Sequence, residues 1–281
     1  MIPDPEAIAR REAFLRELVR SASRIALDGF RRQSGQPIGM KGPQDFLTET
    51  DGEVEAHVKA RIAEAFPEDG FLGEETGGQP GAQAWIVDPI DGTANFAREI
   101  PHFCISIAFV ADRQVQLGAI VNPALDECYA ARLGHGAWKN GNPIRVSDTT
   151  DIAATSFELG WSNRRPTADY IAAVNSLIGA GANVRRGACG ALGLAYVADG
   201  RSDGYAELHM NAWDCLAGLL LVREAGGVTG PFLARDGLTA GAPVLAASPA
   251  VAATLSAATG IPLLTGEDLR SDAAERIPRI A

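Results

Sequence analysis

Aromatic residues make up only 6% of this 281-residue chain, and no apolar run approaches the roughly 20 residues that a membrane-spanning helix needs. Cysteine is scarce too. Cys104, Cys128, Cys189 and Cys215 stand apart without C-x-x-C spacing, which argues against a disulfide framework or a zinc site and suits a reducing cytosol. Positive charge is short: 25 Lys and Arg face 35 Asp and Glu, a formal net charge of −10. With no basic stripe to offset phosphate repulsion, nucleic acid is not expected as a partner. His57, His102, His135 and His209 lack H-E-x-x-H spacing and read as surface or supporting residues. The opening "MIPDPEAIARREAFLREL" lacks the basic-then-apolar layout of a signal peptide, so a cytoplasmic location is expected, with no membrane association. Acidity leaves one opening: bound cations can invert the local field and attract an anionic substrate.

What is present is an ordinary globular composition, 46% hydrophobic, in a chain long enough for one large domain or two closely packed ones. Leu15, Leu18, Val19, Ala22, Ile25 and Ala26 recur with helical period over residues 5–30, behind Asp4 as cap and Pro5 in the first turn. "QPIGMKGPQD" reads as a loop or short hairpin, and "TDGEVEAHVKARIAEAF" as a second helix stopped by Pro67. Strand-like runs follow at 84–88, 103–110, 115–121 and 127–132, then Asn-Gly turn chemistry in "WKNGNPIRV". From about 152 the rhythm changes to alternating strands (154–159, 182–186, 203–207, 243–247) and helices (166–178, 190–199, 212–225, 248–258). One layered domain is expected over 1–265, an α+β half to about 150 and an α/β half beyond it. Residues 266–281 form a charged C-terminal tail.

Carboxylates precede turn residues at separated places: Asp45 in "QDFLTETD", Glu74 and Glu75 in "FLGEETGG", Asp88 and Asp91 in "VDPIDGT", and Asp214 in "NAWDCLAG". Such positions face the ligand crevice of an open sheet. Hard cations such as Mg2+ take a few carboxylates, carbonyls, waters and phosphate oxygens. In "DPIDGT", Pro89 sets a turn that brings Asp88 and Asp91 together, and Ile90 offers a carbonyl between them. Gly92 permits close approach of a ligand, with Thr93 and the following amides ready for an anion. Read singly, each acid is a helix cap or a turn residue. That reading does not explain why several recur together.

The set "DFLTETD", "GEET", "WIVDPIDGTANF" and "AWDCLAGLLLVREAGG" resembles the inositol monophosphatase family, and the likeness runs from about residue 5 to residue 260. The resemblance implies an αβαβα layered sandwich, of the type shared with fructose-1,6-bisphosphatase, and a Mg2+-dependent, often lithium-sensitive phosphomonoesterase. It implies Glu74, Asp88, Asp91, Asp214 and the Ile90 carbonyl as ligands of two or three Mg2+ ions, with Asp88 bridging. Asp45 and Thr93, with Glu74, would activate the attacking water. Asp91, Gly92, Thr93 and Asp214 would meet the substrate around its phosphate, and Glu207 would hold a substrate hydroxyl. Ala188, Cys189 and Gly190 fall where relatives carry a Gly-Ser/Thr-Ala-type substrate segment, so glycine is missing at its first position and a thiol stands at its second. "ELGWSNRRP" also departs from the Gly-Phe-Pro-type segment of relatives.

The implied substrate is a small polyol or sugar phosphate, inositol 1-phosphate by default. Fructose 1,6-bisphosphate, histidinol phosphate and 3′-phosphoadenosine 5′-phosphate remain open, and Arg185–Arg186 reads as a solvated strand end or as a hint of a doubly charged substrate. A non-catalytic binding homologue is the different-class reading, and a homodimer is implied by family analogy alone.

Overall fold

Leu15, Leu18, Val19, Ala22 and Ala26 recur at three- and four-residue steps in the first helix, and all are buried. That stripe seats the helix on a sheet, and the same logic repeats through the molecule. The computed structural model describes residues 4–33, 39–42 and 45–264; the tail at 266–281 and the side chain of Asp45 lie outside the described residues.

In chain order the first half holds α1 (Pro5–Arg32), β1 (Gly39–Gly42), β2 (Asp45–Leu47), α2 (Glu49–Ala65), β3 (Gly70–Gly73), β4 (Gly77–Gln79), β5 (Gln83–Asp91), α3 (Thr93–Phe96), β6 (Cys104–Ala111), β7 (Gln114–Asn122), β8 (Glu127–Arg132), β9 (Gly136–Lys139) and β10 (Asn142–Pro143). The second half holds β11 (Ser156–Leu159), α4 (Thr167–Gly179), β12 (Asn183–Arg185), α5 (Gly190–Ala198), β13 (Gly204–Met210), α6 (Ala212–Glu224), β14 (Val228–Thr229), α7 (Gly237–Ala240), β15 (Ala242–Ala247) and α8 (Ala252–Thr259).

The larger sheet runs β10-β9-β8-β7-β6-β5-β3-β4 and the smaller β12-β11-β13-β15-β14. Period-two alternation splits the larger sheet's residues between two cores. Trp85, Val87, Ile105, Ile107 and Phe109 pack with α1 and α2. Ala84, Ile86, Cys104, Ala108 and Val110 face α5 and α6. Those two helices are buried nearly all round because sheets cover both their sides. A third core joins α4 and α8 to the outer face of the smaller sheet. The result is the α-β-α-β-α sandwich expected from the sequence. No helix among the described residues is long and apolar enough to cross a membrane.

The expected β5 ends at Asp88, but the strand continues to Asp91. Pairing with β6 matches Asp88 to Ser106 and Asp91 to Cys104, with a register shift between them. A bulge, rather than a turn outside the sheet, therefore brings the two aspartates to one place, and it leaves Ile90 buried.

Candidate active site

The site forms where β5 ends against the first turns of α5 and α6. Asp88 is 1% exposed, and its Oδ1 accepts the Ile90 amide at 3.0 Å. Gly92 follows at φ +88°, left-handed backbone that suits glycine. An added Cβ there would lie 3.0 Å from the His102 carbonyl oxygen and 3.1 Å from the Cys189 Cβ, so space as well as conformation excludes a side chain. Asp91 Oδ2 accepts the Ala191 amide at 2.6 Å, and the Cys189 thiol lies 3.2 Å away. The first turn of α5 thus holds Asp91 in place.

Glu74 is placed through its backbone. Its amide donates to the Val87 carbonyl at 3.1 Å, extending the parallel β3–β5 ladder, so Glu74 comes alongside Asp88. The loop behind it is held by a residue the sequence reading passed over. Buried Glu55 of α2 accepts the Glu75 amide at 2.9 Å and the Thr76 amide at 2.7 Å. Asp214 enters from α6, where Asn211 caps the helix and donates its amide to Asp214 Oδ2 at 2.9 Å. Ser106 ties that turn to β6 by donating to the Trp213 carbonyl at 2.9 Å.

The Thr93 hydroxyl donates to the Ile90 carbonyl at 2.8 Å and stands 3.2 Å from Oδ1 of Asp51. The backbone of Asp45, the expected partner of Thr93, lies in β2, and its side chain is outside the described residues. Asp51 is the third residue of α2, buried, and its other oxygen accepts the Thr48 amide at 2.9 Å and the Thr48 hydroxyl. The signal was present in "TETD", a Thr followed three residues later by an acid, which is a capping box.

Crowded burial shifts Asp51, Asp88, Asp91 and Asp214 the same way. Burial, then the charges of Glu74, Asp91 and Asp214, pushes the Asp88 carboxyl well up. Burial, then Asp91, raises Asp214 to about 7. Burial raises Asp91 against its amide donors, and raises Asp51 to about 6 against its Thr48 bonds. Hard oxygen donors that destabilise one another as anions suit a divalent cation such as Mg2+, with Glu74, Asp88, Asp91, Asp214 and the Ile90 carbonyl as the holding groups.

A cavity of about 340 Å³ opens over this cluster, lined at one end by Glu74, Asp91, Gly92, Thr93 and Asp214. Its other walls include Ala188, Cys189, Gly190 and Glu207, the residues the resemblance placed near substrate. Ala188 sits at φ +57°, so the missing glycine leaves an alanine in left-handed backbone. Glu207 accepts from the Tyr205 hydroxyl at 2.6 Å, and burial raises it to about 8. Two further features, one beside the cavity and one in its wall, escaped the sequence reading. Asn95 Nδ2 ties α3 to the substrate loop through the His102 carbonyl at 2.8 Å and the Gly187 carbonyl at 2.9 Å. Glu158, 1% exposed, accepts the Gly187 amide at 3.0 Å.

Comparisons with known proteins agree with this geometry. The profile of the "Inositol monophosphatase family" matches residues 8–260. The inositol-1-monophosphatase of Rhizobium meliloti strain 1021 is 40% identical over 195 residues, covering 68% of this chain and 73% of that one. The Nus factor SuhB of Escherichia coli K12 is 34% identical over 218 residues, covering 76% and 82%. The solved IMPase of Thermotoga maritima superposes with a TM-score of 0.80 at 28% identity, covering 94% of this chain and 99% of that one. The chain belongs to the inositol monophosphatase family.

Proposed function

We propose that the protein is a Mg2+-dependent phosphomonoesterase acting on a small polyol or sugar phosphate, with inositol 1-phosphate the first candidate. The observation that carries this reading is the meeting of Glu74, Asp91 and Asp214, from three segments, around one cavity, with buried Asp88 within electrostatic reach of all three and burial and mutual repulsion opposing the charges of Asp88 and Asp214. When bound, two or three Mg2+ ions would supply Lewis-acid activation of water and neutralisation of the leaving oxygen.

The chain's own groups fit the rest of the chemistry. Glu74 and Thr93, with Asp45 as the resemblance implies, would orient the attacking water, and Asp51, beside the Thr93 hydroxyl with its carboxyl raised to about 6, suits a further proton acceptor near neutrality. Gly92 and Thr93 would meet the phosphate, and Glu207, protonated up to about pH 8, can donate to the alcohol oxygen of the substrate. Lithium sensitivity, a cytoplasmic location and a homodimeric state follow the family by analogy.

Relatives named Nus factor SuhB raise a regulatory, non-catalytic reading. The complete acidic set favours catalysis. The test is phosphate release from a panel of monoesters at fixed Mg2+, with and without EDTA, alongside Asp91→Asn. Metal-dependent turnover that is abolished in a folded variant with weakened Mg2+ binding is expected. Undiminished hydrolysis in that variant, or silence of the wild type across the panel with metal bound, would sink the assignment.

A further inference from the structure

The cavity does not end at the acids. Arg164, in the segment between β11 and α4, and Arg186, directly after β12, line the same space. Both are exposed at its mouth, and among the described residues neither guanidinium makes an ion pair. Arg186 is steadied differently: its guanidinium lies over the Trp161 ring, 6.0 Å from the centroid. The Trp161 indole N–H, also in this wall, is buried without a hydrogen-bond partner. In a chain of net charge −10, with carboxylates at hand in this cleft, two guanidiniums left unpaired beside an unmatched N–H form a donor-only patch.

The patch shares its cavity with Glu207 and His209 as well as with the acids of the metal-binding end. Arg186 acts electrostatically on Glu207, the residue read as facing the alcohol part of the substrate, and Arg164 acts on Asp214 and His209. Bound cations on the acids would meet the scissile phosphate. The guanidiniums line the same cavity as Glu207, within reach of the alcohol portion of an ester, and their planar forks match the oxygens of a phosphate or carboxylate.

We propose that Arg164, Arg186 and the Trp161 indole form a subsite for a second anionic group, so that the substrate is a phosphate ester whose alcohol portion itself carries a phosphate or a carboxylate. This rests on the phosphatase reading of the site, and it moves the first candidate from inositol 1-phosphate to a doubly anionic ester. It turns the paired arginines of the sequence into separate roles: Arg186 reaches the cavity, while Arg185 sits opposite Glu158 in the β11–β12 ladder.

The test compares matched esters: fructose 1-phosphate with fructose 1,6-bisphosphate, and glycerol 1-phosphate with 3-phosphoglycerate. The wild type should favour the doubly anionic member by at least about 10-fold in kcat/KM, the scale of one hydrogen bond to a charged group. That preference should collapse in the double variant Arg164→Gln/Arg186→Gln and be partly retained in Arg186→Lys, which keeps charge but loses the fork. Equal kcat/KM within each pair for the wild type, or a preference that survives the double variant, overturns the proposal. If no ester is hydrolysed, the phosphatase reading has failed separately, and calorimetric titration of the same esters in Ca2+ decides the subsite. Bisphosphate binding weakened about 10-fold by the double variant supports it, and equal binding overturns it.

Discussion

At the scale of single residues, Ala188 and Asp51 show opposite relations between sequence and site. Ala188 holds φ +57° with its side chain exposed, so its methyl group lies in left-handed backbone without a packing role. Left-handed alanine costs about 1–2 kcal/mol, and glycine returns part of that as unfolded-chain entropy. Ala188→Gly should therefore raise stability by about 0.5–1 kcal/mol, read as a higher urea midpoint at unchanged m-value. Asp51 does two tasks, capping α2 through Thr48 and standing beside the Thr93 hydroxyl. Asp51→Asn should lower kcat by about 10²–10⁴-fold while the far-ultraviolet spectrum stays native. Wild-type turnover in that variant would return the role to another carboxylate.

At the scale of elements, the site depends on how closely α5, α6 and the larger sheet approach. A Cβ at Gly218 in α6 would lie 2.5 Å from the Leu194 Cβ of α5, and one at Gly118 in β7 would lie 3.0 Å from the Ala217 backbone. Both helices deliver site groups from their first turns, Ala191 from α5 and Asp214 from α6. Forcing them apart should therefore reach the acids. Gly218→Ala is expected to cost about 1–3 kcal/mol by overpacking, seen in thermal or urea unfolding, and to weaken Mg2+ binding as well. Normal stability in this variant would show that the helix pair tolerates separation.

At the scale of the whole molecule, the acidic cluster makes stability depend on pH and metal together. The carboxyls of Asp51, Asp214 and Glu207 titrate at about 6, 7 and 8 in the folded chain, against ordinary values of 3.8, 3.8 and 4.5. A raised folded value means that the folded state binds protons more tightly. Its stabilising contribution is full below the unfolded value and is lost as pH rises through the folded one. The chelator-treated protein should therefore lose Tm steadily from about pH 4 to about pH 8. Saturating Mg2+ should restore about 2.7 kcal/mol at a concentration 100 times Kd and flatten that slope. Parallel Tm–pH curves with and without Mg2+ would contradict a metal-relieved cluster.

Local chemistry was enough to reveal much of this in advance. Helical periodicity marks α1, the runs at 127–132 and 212–225 coincide with β8 and α6, and the turn-flanking acids Glu74, Asp88, Asp91 and Asp214 are readable as a set. These signals rest on neighbours in the chain, where spacing alone determines which side chains share a face. Other features needed distant segments to meet. That Asp51 stands beside Thr93, how the β5 bulge presents Asp91 to α5, and that Glu55 holds the Glu74 loop all depend on contacts across 20 to 100 residues of sequence. The separation of Arg186 from Arg185 belongs to the same class. Residue types and spacing determined the family and the set of turn-flanking acids. The reach of each carboxylate and guanidinium was decided only when burial packed two sheets and two helices around one cavity, because long-range packing sets which groups lose water together.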